Sequence, residues 1–235
     1  YRATFDGNFK NLCTCHITNQ EPSWFFTYGG IQLFNPGIPQ VRDYIVKVIL
    51  NVVDNYDIDG VHMDDYFYPY KIDGQTIRDS ETFKAYGGEF TDIKDWRRNN
   101  VDLLIQALGD SIHAHKWYVK FGIAPFGIWP NARQDPDGSE TTGGDSYYEL
   151  YADTRKWLQE GWIDYVVPQL YWNFGYRLAP FENLVDWWSD NTYGRHLYIG
   201  QAPYRAFEPK SRAFHNPLEL PNQVRYLRDN NRVEG

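Results

Sequence analysis

Four short apolar segments of the chain predict buried β-strands. They are rich in Val, Ile and aromatic residues and are bounded by Gly or Pro, a pattern typical of parallel strands that are covered on both faces. The four predicted strands span residues 58–66, 118–129, 164–172 and 196–204. Around them, apolar residues recur at helical spacing, as they do at Val41, Ile45, Val48 and Val52. The predicted helices span residues 41–56, 93–115, 147–160, 180–191 and 221–230.

The alternation of helices and strands predicts right-handed βαβ units and a parallel sheet, which is an α/β fold. Such a sheet either stays open and doubly wound or closes into a TIM (β/α)8 barrel. No GxGxxG or Walker-type loop follows any predicted strand, which favours the barrel over a nucleotide-binding sheet. A barrel needs eight strands and four are predicted. Either residues 1–34 contain further strands, or the chain lacks parts of its barrel.

Composition and charge narrow the class of protein. Apolar residues make up 42% of the chain, and its 19 glycines bring the share to about half, which excludes a disordered chain. The chain contains no run of about 18 apolar residues, which is the length that a membrane-spanning helix needs. The net charge of −8 argues against nucleic acid as a partner. The two cysteines, Cys13 and Cys15, cannot form a disulfide framework; the segment Cys-Thr-Cys-His is either a surface loop or, less favoured, part of a metal site.

Aromatic residues are unusually frequent, with 9 Trp, 19 Tyr and 14 Phe making up 18% of the chain. Trp and Tyr carry polar groups that need partners when buried, so they favour half-exposed sites. A groove that stacks flat rings such as sugars would use them. The alternative is extensive aromatic packing between the helices and the sheet.

Two adjacent carboxylates, Asp64 and Asp65, end the first predicted strand. The alternation of side chains along a strand places His62 and Asp64 on one face and Val61 and Met63 on the other. At the mouth of a barrel, Asp64 could serve as a nucleophile, a base or the stabiliser of a cation. Alternatively, Asp64 and Asp65 beside His62 could hold a divalent cation, or the pair could cap the following loop.

Amide, phenol and indole side chains lie at the carboxyl ends of the other predicted strands. Amides and phenols recognise hydroxyl groups, and Trp offers a flat apolar face. For each residue alone, core packing is an equal alternative, but their shared position at the strand ends favours ligand binding. These residues are Trp129, Gln169, Tyr171, Trp172 and Gln201.

A second carboxylate is harder to identify. The long loop after the first predicted strand contains Asp73, Asp79 and Glu81, of which Asp79 or Glu81 is the best candidate. For each of them a solvated surface position is the more frequent role. Arg97, at the start of the second predicted helix, is interpreted first as an ion-pairing residue and second as a ligand contact.

Several long motifs together resemble the glycosyl-hydrolase-like family 10 domain. The motifs are FNPGIPQVRDYI (residues 34–45), DGVHMDDYFYPY (59–70), DWRRNNV (95–101), VKFGIAPFGIW (119–129) and YADTRKWLQEGWIDYVVPQLYW (151–172). The resemblance covers nearly the whole chain. It implies a bacterial protein, often a lipoprotein, with a (β/α)8 barrel. Members with an assigned activity act on peptidoglycan glycan strands, preferentially after removal of the peptide stems.

The resemblance also accounts for the missing strands. The four predicted strands would be the fourth to the seventh of the family barrel, and Arg2 would lie at the end of the third. The chain is then expected to be a single domain, residues 1–235, that is truncated at both ends. Asp64 resembles the nucleophile at the end of strand four in several retaining barrel glycosidases, a likeness at the level of fold.

The leading hypothesis is therefore a glycoside hydrolase acting on an amino-sugar-containing bacterial polysaccharide. Asp64 would attack or stabilise the anomeric carbon, and Asp65 or another carboxylate would donate the proton. The expected substrate contacts are Arg2, His62, Tyr66, Tyr68, Trp129, Gln169, Tyr171, Trp172 and Gln201. We expect no cofactor and no metal, and a monomer with the polysaccharide as its partner. The expected location is secreted or periplasmic, and a lipid anchor at a missing N-terminus is one form that this location could take. The alternatives are a non-catalytic glycan-binding barrel and a metal-dependent hydrolase.

Overall fold

A computed structural model describes residues 12–235 of the chain. Its α-helices are α1 (Ile17–Gln20), α2 (Pro39–Asn55), α3 (Ser80–Tyr86), α4 (Ile93–His115), α5 (Thr154–Gln159), α6 (Phe181–Asp190) and α7 (Glu219–Asp229). Its strands are β1 (Phe25–Tyr28), β2 (Ile31–Phe34), β3 (Gly60–Met63), β4 (Lys120–Ile123), β5 (Tyr165–Val166) and β6 (His196–Leu197). Three short 3-10 helices span Pro22–Trp24, Pro203–Phe207 and Arg212–His215.

The main sheet has four parallel strands in the order β3-β4-β5-β6. Each strand lies beside the next one in the chain, so the order never reverses as it does at the switch point of a doubly wound sheet. The predicted α/β class and the predicted parallel sheet are confirmed. The closed barrel is not: within residues 12–235 the sheet stays open.

Helices cover one face of this sheet. Val61 and Met63 of β3 pack against the hydrophobic core, whereas His62 between them is exposed on the opposite face, as strand alternation predicts. α4 contributes an apolar stripe to the core, in which Leu104 and Leu108 are fully buried. Apolar burial of this kind is the main stabilising contribution to folding.

A β-hairpin formed by β1 and β2 was not predicted. The two-residue turn between its strands is Gly29–Gly30, and both residues have positive φ, 59° and 77°, as a type I′ turn requires. The hairpin contacts the loop after β3: Ile72 N donates to Tyr28 Oη at 2.7 Å, and Gly29 N donates to Gln75 Oε1 at 2.9 Å. Residues 12–34 thus contain two strands, but these form a separate antiparallel sheet that supports the long loop.

Several element boundaries differ from the prediction. The helix predicted from residue 147 begins at Thr154, because Tyr151 adopts a φ of +56° and Asp153 caps the helix by accepting from Lys156 N. The strands are shorter than predicted. Single parallel bridges between Phe126 and Gln169, and between Gln169 and Gly200, continue the alignment of the strands beyond their ends.

Two further sequence-based expectations concern membranes and metals. No helix in residues 12–235 has both the length and the apolar character needed to cross a bilayer. Cys13 and Cys15 form a disulfide with each other, so their sulfurs are not free thiolate ligands in this structure.

Candidate active site

The candidate site lies at the carboxyl ends of the parallel strands. Asp64 directly follows β3, and the bridges Phe126–Gln169–Gly200 bring the segments after β4, β5 and β6 into line with one another. Parallel strands end at the same edge of a sheet, so residues that are far apart in the chain meet there.

Asp64 is exposed, and two hydrogen bonds orient its carboxylate. Its Oδ1 accepts from Gln169 Nε2 at 2.9 Å and from the backbone N–H of Asp65 at 2.8 Å. Gln169 Nε2 also donates to the carbonyl oxygen of Ala124 at 3.0 Å, so the protein uses both amide hydrogens. Gln169 was expected to contact the ligand; in this structure its amino group holds Asp64.

Asp65 occupies a different environment from its neighbour. Asp64 is exposed, whereas Asp65 is only 3% exposed. Tyr70 Oη donates a hydrogen bond to Asp65 Oδ2. Burial raises the pKa of Asp65 to about 6; the Asp64 carboxylate adds to the rise, and the Tyr70 hydrogen bond opposes it. Burial and the contact with Asp65 also raise the pKa of Tyr70 well above its usual value, so the phenol keeps its proton.

His62 lies on the same face of β3 as Asp64 and contacts Tyr165 of β5. The two rings stack at 5.8 Å, and His62 Nδ1 lies 3.1 Å from Tyr165 Oη. Burial lowers the pKa of His62, against the effect of Asp64. Within residues 12–235 no group of three or more His, Cys, Asp or Glu side chains is arranged to hold a metal ion, and His62, Asp64 and Asp65 do not form one.

An aromatic wall stands beside Asp64. It consists of three edge-to-face pairs that share rings and one separate edge-to-face pair, the usual preference of aromatic side chains. The pairs are Tyr66–Tyr70 (5.9 Å), Tyr70–Phe126 (6.1 Å), Phe126–Trp172 (5.6 Å) and Tyr171–Tyr204 (6.1 Å). Tyr204 is 50% exposed, and Tyr66 and Tyr70 are also exposed, so this wall leaves apolar ring surface open to a ligand.

Three members of this wall were absent from the predicted site: Tyr70, Phe126 and Tyr204. The sequence gives only a weak indication that Phe126 and Tyr204 belong to the site: Phe126 lies within a predicted strand, and Tyr204 is the last residue of another. Tyr70 lies five residues beyond Asp65 in a loop, and its contact with Asp65 is not visible in a periodic pattern.

Gln201 connects the site to α7. Its Nε2 donates to Oε1 of the fully buried Gln223 at 3.1 Å. Gln223 Nε2 in turn donates to the carbonyl oxygen of Trp172 at 3.1 Å and to Glu219 Oε1 at 2.9 Å. This network fixes the backbone next to the aromatic wall. Gln201 therefore helps to position Trp172.

Two residues predicted to contact substrate are buried. Trp129 is 5% exposed; it stacks on Trp187 at 5.8 Å and donates from Nε1 to Asp153 Oδ1 at 3.0 Å. Tyr68 is 1% exposed and packs edge-to-face on Tyr151 at 5.1 Å. A ring enclosed in this way has no face free for a sugar, so the structure does not bring Trp129 or Tyr68 into the site. Arg2 lies outside the described residues.

The two candidates for a second carboxylate have other partners. Asp79 is buried and forms a bidentate ion pair with Arg97, with N···O distances of 2.8 and 2.6 Å. This confirms the ion-pairing role that was expected first for Arg97. Glu81 has a side chain that is 83% exposed, and it pairs with Lys84 at 2.7 Å.

A parallel α/β sheet with a carboxylate and an aromatic wall at its C-terminal edge is consistent with a glycosyl hydrolase-like fold. The chain belongs to the glycosyl hydrolase-like 10 family, whose model matches residues 10–215.

Relatives of the chain are named glycosyl hydrolases. The chain is 47% identical over 240 residues to glycosyl hydrolase YngK of Bacillus subtilis (strain 168), a match that covers 100% of this chain and 47% of that protein. It is 43% identical over 192 residues to glycosyl hydrolase DigH of Escherichia coli (strain K12), covering 81% of this chain and 44% of that protein. DigH of Escherichia coli O6:H1 matches with the same values. The chain therefore spans about half the length of these relatives.

Proposed function

We propose that this protein is a glycoside hydrolase that cleaves a bacterial amino-sugar polysaccharide, with peptidoglycan glycan strands as its substrate. The observation that carries the proposal is the exposed carboxylate of Asp64, which is oriented by Gln169 and lies beside an aromatic wall. The relatives named glycosyl hydrolase support the reaction class. The glycan substrate and the complete (β/α)8 barrel come from the resemblance, and a location outside the cytoplasm follows from that substrate.

We assign to Asp64 the carboxylate that acts on the anomeric carbon of the sugar. A glycosidase needs a carboxylate that attacks this carbon or stabilises its positive charge in the transition state. The two N–H groups that donate to Asp64 Oδ1 fix the orientation of the carboxylate before substrate arrives. Oδ2 remains for the sugar, and the neighbouring rings of Tyr66 and Tyr171 would contact the apolar face of the pyranose.

Asp65 was the expected proton donor, and its burial argues against direct donation. A general acid must come within hydrogen-bonding distance of the glycosidic oxygen. Asp65 is enclosed, and Tyr70 occupies its Oδ2. We therefore propose that Asp65 supports the structure of the site and that another acidic group donates the proton to the glycosidic oxygen.

The test is to incubate peptide-free glycan strands with the wild-type protein and with Asp64→Asn, and to analyse the products by mass spectrometry. We expect cleavage by the wild type and a loss of at least about a thousandfold in Asp64→Asn, in the range typical of a lost catalytic group. Asp73→Asn is the matched control, since it removes a carboxylate from an exposed position of the following loop. Equal cleavage by wild type and Asp64→Asn would remove Asp64 from the reaction.

A second candidate function is glycan binding without cleavage. One observation favours it: the carboxyl group next to Asp64 is buried rather than presented to the site. In that case, wild type and Asp64→Asn would both bind the strands and neither would release products. Cleavage that stops on addition of a chelator would instead support the metal-dependent hydrolase.

A further inference from the structure

We propose that Tyr70 is a positioning residue for this reaction, which holds Asp65 and thereby fixes the backbone that orients Asp64. The inference rests on the proposed function and extends it to a residue that does not itself react. It assigns a role to the loop after β3, whose contacts otherwise look purely structural.

The geometry forms a continuous chain of contacts. Tyr70 Oη donates to Asp65 Oδ2, and the backbone N–H of Asp65 donates to Asp64 Oδ1 at 2.8 Å. Gln169 donates to the same Asp64 oxygen at 2.9 Å. The side chain of Asp65 is therefore held from the loop while its backbone holds Asp64. Loss of the Tyr70 contact would let the Asp65 residue move, and with it the N–H that orients Asp64.

Tyr70 is itself held in place. Its ring packs edge-to-face on Tyr66 at 5.9 Å and on Phe126 at 6.1 Å. Two residues further along, Ile72 N donates to Tyr28 Oη of the β1–β2 hairpin at 2.7 Å. The hairpin therefore limits the movement of the segment that carries Tyr70. A phenol anchored in this way can hold a buried carboxyl group at a defined position.

The same contact lowers the pH at which Asp65 changes charge, against the effect of burial. The titratable groups that face Asp65 are Asp64 beside it, Tyr70 from the loop and Tyr171 from the segment after β5. Burial and Asp64 favour the neutral acid, whereas the Tyr70 hydrogen bond favours the carboxylate. Protonation of Asp65 weakens the bond from Tyr70, since charge-assisted hydrogen bonds are the stronger ones. Removal of the Tyr70 hydroxyl should therefore shift this protonation to higher pH.

The experiment measures kcat and KM on peptide-free glycan strands from pH 4 to 9 for wild type, Tyr70→Phe and Asp65→Asn. Tyr118→Phe is the matched control, because Tyr118 is an exposed tyrosine before β4, at the opposite edge of the sheet. We expect Tyr70→Phe to lower kcat by about 10- to 100-fold with little change in KM, as for the loss of a hydrogen bond to a charged group. Its acidic limb should move to higher pH, and Asp65→Asn should lose that limb.

Carbon-13 NMR of the Asp65 carboxyl group gives a readout that is independent of turnover. We expect its pKa to rise from about 6 in the wild type to a higher value in Tyr70→Phe. A kcat and a pH profile equal to those of the wild type in Tyr70→Phe would overturn the inference, as would a lower kcat with an unshifted acidic limb, which indicates a structural role only. If the wild type cleaves no glycan, the proposed function fails and Tyr70 has no reaction to assist.

Discussion

Gln169 donates a hydrogen bond to Asp64 at 2.9 Å and so joins the ends of β5 and β3 across the intervening β4. The two residues are 105 positions apart in the chain. The bond depends on the register of the strands, because a shift of β5 by one residue would turn the Gln169 side chain to the other face of the sheet. The orientation of the candidate catalytic carboxylate is thus a direct result of strand register.

Gln169→Leu tests this relationship. The substitution removes the donor to Asp64 and leaves an apolar side chain that is one heavy atom shorter. We expect kcat to fall by about 10- to 100-fold, the value of a hydrogen bond to a charged group. Gln159→Leu, an exposed glutamine at the end of α5, is the control and should keep wild-type activity. Steady-state kinetics on glycan strands decide the matter, and an unchanged kcat in Gln169→Leu would show that Asp64 needs no such support.

Asp79→Asn separates a structural ion pair from a catalytic acid. Removal of one partner of a buried pair leaves Arg97 uncompensated and should cost about 3–5 kcal/mol of unfolding free energy. The exposed Glu81–Lys84 pair is the comparison, and Glu81→Gln should cost less than about 1 kcal/mol. Urea denaturation measures both. A large loss of kcat in Asp79→Asn with unchanged stability would instead make Asp79 a catalytic group.

Asp65 should make the stability of the protein depend on pH. Its pKa is raised to about 6 from an ordinary 3.8, so between these values the folded state binds more protons than the unfolded state. Asp65 therefore contributes stability below about pH 4, and this contribution is lost as the pH rises through about 6. The loss amounts to about 3 kcal/mol. Denaturant titrations from pH 4 to 7 should show this decline in the wild type and a smaller one in Asp65→Asn; identical slopes would contradict the assignment.

Substitutions of Trp129 and Tyr204 should have opposite effects: the first should lower stability, and the second should raise KM. Trp129→Phe removes a buried hydrogen bond to Asp153 and should lower the unfolding free energy by about 1–3 kcal/mol. Its KM should stay within about twofold of the wild type, since the ring has no face open to substrate. Tyr204→Ala should raise KM by about 2- to 10-fold through loss of an exposed ring, with stability changed by less than about 0.5 kcal/mol. A large KM effect in Trp129→Phe would restore its predicted role in binding.

Much of the fold could be predicted from hydrophobic periodicity. The four strands and the long helix α4 leave clear patterns, because each buries one repeating set of apolar residues. The β1–β2 hairpin left no such pattern and depends on the turn at Gly29–Gly30. The helix start at Thr154 was missed because apolar residues continue upstream, whereas the backbone at Tyr151 leaves the helical region.

The site could be predicted only in part. Strand alternation correctly placed His62 and Asp64 on one face, because side-chain direction follows from the period of the strand. Exposure could not be predicted in this way: Trp129 and Tyr204 each end a predicted strand, yet Trp129 is buried and Tyr204 is half exposed. The contact of Tyr70 with Asp65 was also inaccessible, since it depends on the path of a loop.

The unreversed order β3-β4-β5-β6 has a consequence for how this protein can diverge. All segments that follow the strands emerge at one edge, and the helical layer that stabilises the sheet lies on one face. Loop segments tolerate insertions and substitutions far better than packed elements do. Substitutions in these segments can therefore change ligand preference one segment at a time, without changing the residues of the core.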